Sequence, residues 1–378
     1  MKNLLMTIGG ILTLSLAIVA VLENNQPVFS YYKDAMIQEI DQMSVPRAVH
    51  QATLLQTGEV LITGGCTGFC NGVQSSVEIY NPDSKTFRTV ASMSEPRSAH
   101  TAVSLNDGRV FVAGGWNGRG SNATATAEIF DPITEQWSSV GSMADARMNL
   151  FAATLPDGRI LIGGGGYNNR NQLDSAEIFD PATATFSRTS SMNVPRDLAV
   201  ATTLEDGRVL ISGGHHSGQK HRSTEIFDPA TETFQTAGNM DFPRDRHAAQ
   251  LLQNGTVLVI GGQMPGRDKM DKYTSTEIYN PSTDRFTTGP AMQWGRHKIV
   301  DAVAMLKSGA VLLAGGSQQQ EIWKPGEKVF RPIQVEMYGR HEFATATLLD
   351  SGDVLVLGGY AVLPEKRSAS AWLVREVD

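Results

Sequence analysis

Cysteine occurs twice in the 378 residues, at Cys66 and Cys70 within C-T-G-F-C. Two thiols so close together either form a disulfide or supply half of a metal site, and no further ligand stands nearby at the spacing a metal site uses. A disulfide is expected, and with it an oxidising compartment. Histidine clusters once, at His215-His216 with His221, where imidazoles could ligate a transition metal. Arg119, Arg170, Arg222 and Arg267 fall in polar loops, each a planar guanidinium able to hold a carboxylate through paired hydrogen bonds. Trp116, Tyr167, Trp294 and Tyr360 stand in or beside such loops and offer flat faces next to those cations. No Ser-His-Asp arrangement and no paired carboxylates stand out, so no catalytic residue is assigned. The chemistry suggested is recognition of an anionic ligand by arginines and aromatics, with His215 and His216 beside them.

What must position these residues is a repeat. Double glycines recur seven times, at Gly64-Gly65, Gly114-Gly115, Gly164-Gly165, Gly213-Gly214, Gly261-Gly262, Gly315-Gly316 and Gly358-Gly359, a period of about fifty. A hairpin turn precedes each one, from Thr57-Gly58 through Asp107-Gly108 to Ser351-Gly352, because glycine accepts the positive φ such turns need. After six of them comes E-I-aromatic, beginning at Glu78, Glu128, Glu177, Glu225, Glu277 and Glu321, and then a closing Phe87, Trp137, Phe186, Phe234, Phe286 or Phe330. Each unit reads as four short strands and three turns. Arg47, Arg97, Arg147, Arg196, Arg244, Arg296 and Arg340 recur once per unit. Presence in every unit marks them, like the six glutamates, as structural, forming Arg-Glu pairs between neighbouring strands. His50, His100 and His247 follow three of these arginines and read as packing residues.

This pattern resembles the kelch repeat from about Ile37 to the C-terminus. The resemblance implies an all-β, seven-bladed kelch β-propeller, since a blade cannot bury both faces alone and must stack on its neighbours. The last unit, from Arg340, has only three strands, with Ala371-Trp372-Leu373-Val374 in the place of E-I-F-D. Aligning Met43-Ser44-Val45-Pro46-Arg47 with Met93-Ser94-Glu95-Pro96-Arg97 places Ile37-Gln38-Glu39-Ile40 at the missing outer strand. The last blade is expected to be closed by this N-terminal strand, which leaves no open edge. Because strand direction alternates, the loops after the double glycines share one end of the ring with the Pro-Arg loops. The short Asp-Gly and Asp-Pro turns share the other. The first end carries the variable loops and is the expected functional mouth. In its longer loops Arg119, Arg170, Lys220, Arg222, Arg267, Lys269, Lys272, Lys366 and Arg367 outnumber Asp174, Asp268, Asp271 and Glu365, although the whole chain has a formal net charge of -7.

That overall charge argues against nucleic acid as a partner. Residues 4–22 carry no charge and read as a signal peptide or membrane anchor, residues 23–35 as a tether and residues 36–378 as the propeller. Export to the periplasm, medium or cell surface is expected, with membrane contact only through the N-terminal segment. The expected function is a non-enzymatic binding module for a protein segment or an anionic glycan, held by Trp116, Arg119, Tyr167, Arg170, His215, His216, Arg222, Arg267, Trp294 and Tyr360 without a cofactor. The alternative that the kelch resemblance brings is a carbohydrate-active enzyme on the same mouth, a sugar epimerase or a galactose oxidase-like oxidase. The copper of such an oxidase takes two tyrosines and two histidines, one tyrosine being cross-linked to a cysteine. Tyr167, Tyr360, His215 and His216 are the candidates here, but no Tyr-His pair is adjacent and both cysteines lie in the first mouth loop, so no metal is assigned.

Overall fold

The computed structural model describes residues 31–67, 70, 72–120, 123–168, 171–265, 272–334, 337, 339–360 and 368–376. The segment at residues 4–22, with Arg170, Arg267, Lys269, Lys366 and Arg367 among the loop cations, lies outside the described residues. Seven four-stranded antiparallel sheets follow one another along the chain. In the first, Gln51–Leu54, Val60–Thr63, Val77–Asn81 and Thr86–Val90 run from the ring centre outwards. Every residue of the second strand is buried here, as in Val110–Ala113, Ile160–Gly163, Val209–Ser212, Val257–Ile260 and Val354–Leu357. These strands are sandwiched by a blade on either side, which is why they read as unbroken apolar runs instead of alternating. The outer strand Thr86–Val90 is wetter, with Phe87 and Val90 half-buried and Thr86, Arg88 and Thr89 exposed.

Seven apolar layers hold the blades together, one between each neighbouring pair. The first two blades share Leu61, Ile79, Met93, Val110, Val112 and Phe130, and the seventh and first share Met43, Val60, Tyr80, Leu355, Leu357 and Leu373. The layer that closes the ring is therefore built like the others. Each E-I-aromatic residue sits opposite the closing aromatic of its blade, as Tyr80 opposite Phe87 with ring centroids 5.0 Å apart and Phe130 opposite Trp137 at 5.1 Å. The double glycines are the latches between blades. Gly65 has φ +87° and donates its N–H to the Arg97 carbonyl of the next blade at 2.8 Å, and a Cβ on Gly64 would overlap that same carbonyl. No side chain fits there.

The closing strand is Ala35–Ile40, paired antiparallel with Ala371–Glu376 so that Ile37 faces Val374 and Ile40 faces Ala371. It extends two residues beyond the expected Ile37 start. Tyr32 adds a second clasp: it is fully buried, its N–H donates to the Pro332 carbonyl at 2.7 Å and its hydroxyl to Glu376 Oε1 at 2.5 Å.

The buried arginines are tied down as expected in six blades. Arg47 Nη1 donates to the Gly64 and Ser76 carbonyls at 2.7 and 2.9 Å, and Nη2 donates to Glu78 Oε1 at 2.8 Å. The second oxygen of Glu78 accepts the Ser44 N–H at 2.7 Å. The pattern repeats through Arg296 and Glu321. The seventh blade departs from it. His341, not Arg340, occupies the arginine site: its Nδ1 lies 3.0 Å from the Gly358 carbonyl, and its own carbonyl accepts the Gly316 latch at 3.4 Å. Trp372, not Ala371, stands at the glutamate register, since it faces Val356 as Glu78 faces Ile62. The two rings meet edge to face at 4.5 Å. Without a carboxylate at that register a buried guanidinium would be an unpaired charge, whereas a neutral imidazole against an indole has no such cost.

His50, His100 and His247 are buried and join blades. Their Nε2 atoms lie 3.1, 2.9 and 2.8 Å from the hydroxyls of Thr345, Thr63 and Ser212 of the preceding blades. Burial, reinforced by the nearby arginines, pushes each imidazole down to about 3.

Candidate functional site

The two positions that follow each buried arginine, or His341 in the seventh blade, build the mouth. The second of them, at Val49, Ala99, Asn149, Leu198, Arg246, Lys298 and Phe343, has φ between +52° and +59° in every blade. Such a conformation is strained for residues other than glycine, above all for β-branched Val49. A closed ring of backbone hydrogen bonds holds it. Ala99 N–H donates to Val49, Asn149 to Ala99, Leu198 to Asn149, Arg246 to Leu198, Lys298 to Arg246, Phe343 to Lys298, and Val49 back to Phe343, over 2.8 to 3.4 Å. The side chains of these seven residues form a rim fixed by the scaffold, and they are where the blades differ.

The first position forms a bridge to the residue after the double glycine: Ala48 to Cys66, Ser98 to Trp116, Met148 to Gly166, Asp197 to His215, Asp245 to Gln263 and Glu342 to Tyr360. At this position blades one to three thus present neutral groups, and blades four, five and seven present carboxylates. His215 lies between two carboxylates, with Nδ1 3.3 Å from Asp245 Oδ2 and Nε2 3.6 Å from Asp197 Oδ2. Lys220 and Arg246 also reach Asp245, at 3.2 and 3.1 Å. Burial raises Asp245, but the close approach of His215 and the charges of Arg246 and Lys220 outweigh that and bring it to about 2. Asp197 has weaker support, and burial raises it to about 6. Across the blade-six sector, Glu342 accepts from Lys272 at 3.0 Å and from Lys298 at 2.8 Å; those cations overcome the upward push of burial and hold its carboxyl below the ordinary range.

The floor of the mouth comes from the sixth blade. Its chain from Arg296 to Leu306 is two residues longer than Arg47 to Leu55 in the first blade, and the extra length forms a tight turn closed by Ala302 N–H to the Ile299 carbonyl at 3.0 Å. The turn pushes Val300 and Asp301 into the central channel, where Gln51 Nε2 of the first blade donates to Asp301 Oδ2 at 3.1 Å. Enclosure by protein raises the Asp301 carboxyl despite the Gln51 bond. A cavity of about 70 Å³ remains between this turn and Val49, His100, Asn149, Leu198 and Phe343. That is space for a few waters.

The structure brings some of the expected site residues together and leaves others apart. Cys66 and Cys70 are joined by a disulfide with Cα atoms 4.8 Å apart, and the Tyr360 hydroxyl lies 2.7 Å from Cys70 Sγ. Tyr360 also packs edge to face on Phe343 of the rim at 6.0 Å. Trp116 is half-buried and its Nε1 donates to the Gly120 carbonyl at 3.0 Å, so its indole braces its own loop. Tyr167 is 39% exposed, and its carbonyl accepts from Ala123 of the neighbouring loop at 2.9 Å. Arg119 and Arg222 are exposed loop residues, and His216 is half-buried beside His215. Trp294 lines a separate cavity of about 400 Å³ with Lys272, Gly316, Gln318, Gln319 and Arg340. Sequence reasoning missed Asp197, Asp245, Arg246, Lys298 and Glu342. The signal was present: within a repeat that otherwise copies itself, the pairs Ala48-Val49, Ser98-Ala99, Met148-Asn149, Asp197-Leu198, Asp245-Arg246, His297-Lys298 and Glu342-Phe343 coincide only in the aspartates Asp197 and Asp245.

Of the residues that a copper centre would use, Tyr360 and His215 have other partners. Tyr360 rests on the disulfide of the first blade while His215 is held by Asp197 and Asp245 of the fourth and fifth, and among the described residues no group of three His, Cys, Asp or Glu could hold a metal ion.

Comparison with known proteins agrees with the architecture. The family model described as the KLHDC2/KLHL20/DRC7 Kelch-repeats domain matches residues 99–316, and the Kelch motif model matches residues 50–94. No curated protein matches the chain. Among solved structures, a fungal alcohol oxidase of the AA5 family in complex with copper superposes with a TM-score of 0.73 at 15% identity, covering 91% of this chain and 77% of that one. At that identity the likeness is one of fold.

Proposed function

The chain belongs to the kelch-repeat family, whose propellers generally serve as protein-interaction modules, and from that premise we propose that it is a recognition module binding an anionic protein segment or glycan at its mouth. The observation that carries this reading is the rim. Its backbone is locked by the closed hydrogen-bond ring, and the variation between blades is concentrated in the side chains it presents. Strained positions that a scaffold holds in place are found where a protein meets its ligands. The anionic preference is supported by exposed Arg119 and Arg222 around the charged sector, whose own cations are matched by Asp245 and Glu342. Aromatic Phe343, Tyr360 and Tyr167 supply apolar surface beside those cations. The proposed setting is outside the cytoplasm, supported by the uncharged run at residues 4–22 and by the Cys66–Cys70 disulfide.

The test is a binding screen of acidic and neutral peptides and glycans at two salt concentrations. Acidic ligands should bind, salt should weaken them, and Arg119→Ala with Arg222→Ala should weaken them at least about tenfold, each charged contact being worth about 1.5 to 3 kcal/mol. Unchanged binding by that double variant in every positive case would refute the anionic reading. A catalytic use of the mouth has one observation behind it, the Asp197 carboxyl held near 6 beside His215. Sugar mutarotation followed by NMR, abolished in Asp197→Asn, would favour it.

A further inference from the structure

We propose that the cavity beside the shortened mouth loop of the sixth blade is a subsite for the carboxylated ring of an acidic sugar, with Arg340 holding the carboxylate and Trp294 covering one face of the ring. The proposal rests on the recognition function above and narrows its ligand. Two independent departures from the repeat create this subsite. First, only Ser317-Gln318-Gln319-Gln320 separate the double glycine of blade six from Glu321, whereas Cys66 to Val77 do so in the first blade. The missing length leaves a cavity of about 400 Å³ between Lys272 of blade five, Trp294 and Gly295, the Gly316–Gln319 segment and Arg340. That volume lies within the range of small-molecule sites, about 300 to 1,000 Å³.

Second, the register of the seventh blade gives the buried arginine site to His341, so Arg340 is displaced into the mouth. It is half-buried and makes no hydrogen bond or ion pair with the described residues. The nearby mouth cations are already matched, Lys220 and Arg246 by Asp245, Lys272 and Lys298 by Glu342. Among the described residues Arg340 is thus a guanidinium with no carboxylate partner, and it lines a concavity, the arrangement that draws a carboxylate into paired hydrogen bonds.

The remaining walls favour a sugar over an acidic peptide. A pyranose presents a face of C–H groups and a rim of hydroxyls. Trp294 offers an indole for the face, while Ser317 and Gln318 offer a hydroxyl and an amide for the rim. Gln319 is already anchored, donating to the Ile333 carbonyl at 2.5 Å, and so forms a fixed wall. A lone aspartate or glutamate side chain would meet Arg340 and leave most of the cavity unfilled.

The experiment uses the full chain with D-glucuronate and N-acetylneuraminate as probes, D-glucose and acetate as controls and hexaglutamate as the peptide comparison, read by calorimetry and ligand-observed NMR. An acidic sugar should bind more tightly than glucose, acetate or hexaglutamate. Arg340→Ala should weaken that sugar tenfold or more with no change in melting temperature, Arg340→Lys should recover only part of the loss, and Trp294→Ala should weaken acidic and neutral sugars alike. If acidic ligands bind but Arg340→Ala and Trp294→Ala bind them as wild type does, the subsite is overturned while the recognition reading stands. Loss of hexaglutamate binding in Arg340→Ala without loss of either sugar would also overturn it, in favour of a peptide. If no acidic glycan or peptide binds anywhere, the recognition reading falls and the subsite with it.

Discussion

Mild acid should loosen the ring between its blades. His50, His100 and His247 are buried against hydroxyls of the preceding blades and titrate near 3, against 6.5 for the free side chain. Between those two values the unfolded chain binds more protons than the folded one, so stability falls as the pH drops from about 6.5 towards about 3. Moving from pH 7 to pH 5 removes about 2 kcal/mol per imidazole, hence about 6 kcal/mol for the three. Asp197 acts in the opposite sense. Its folded value near 6 lies above the 3.8 of a free aspartate, so protonation at pH 5 favours the folded state and returns about 1 kcal/mol. These four groups together leave a loss of about 5 kcal/mol, to which His221 and His297, lowered by burial to about 4 and about 3, add in the same sense, and that is a large share of a typical domain's 5 to 15 kcal/mol. Urea denaturation at pH 7 and pH 5 measures it directly. The triple variant His50→Gln, His100→Gln, His247→Gln should start less stable at pH 7 yet lose far less between the two values. Equal losses in wild type and triple variant would refute the assignment of acid sensitivity to these three residues.

Deleting residues 1–42 removes the closing strand and the Tyr32 clasp, exposes the edge Ala371–Glu376, and should lower the melting temperature by roughly 10 °C, with lower solubility; an unchanged melt would sink the closure. Glu78→Ala strands Arg47, which is fully buried, and should destabilise by about 3 to 5 kcal/mol, whereas Arg47→Met with Glu78→Leu should cost less than the single change, as chemical denaturation would show. His341→Arg places a guanidinium against Trp372 with no carboxylate and should cost about 3 kcal/mol, part of which Trp372→Glu in the same chain restores. Replacing Cys66 and Cys70 by serine opens only a very small loop, so stability should fall by at most about 2 to 3 kcal/mol while ligand affinity at the mouth falls further.

The fold was legible because repetition multiplies a weak local signal. A single Gly-Gly or E-I-Y says little, but their recurrence at one spacing fixes strands, turns and blade number together, and the alignment of Met43 with Met93 is enough to place Ile37 to Ile40 on the last blade. The same logic misplaced Arg340 and Ala371, since a Pro-Arg-like or E-I-like match cannot reveal a one-residue shift in a blade whose Arg-Glu pair has been replaced by His341 and Trp372. At the mouth the sequence singled out residues by chemical type in long loops, so it found Trp294, Tyr360 and His215 but not Asp197, Asp245, Arg246, Lys298 or Glu342, which sit in the short segments it read as structural. What the sequence determined by itself is what each blade does alone: strand order, the buried second strand and the end that carries variable loops. What only the tertiary structure decided is what crosses between blades far apart in the chain. The rim is closed by Val49 reaching Phe343, Asp301 is placed opposite Gln51, and Arg340 faces Trp294. Those neighbours are set by closure of the ring, a constraint on all seven blades at once that no local spacing encodes.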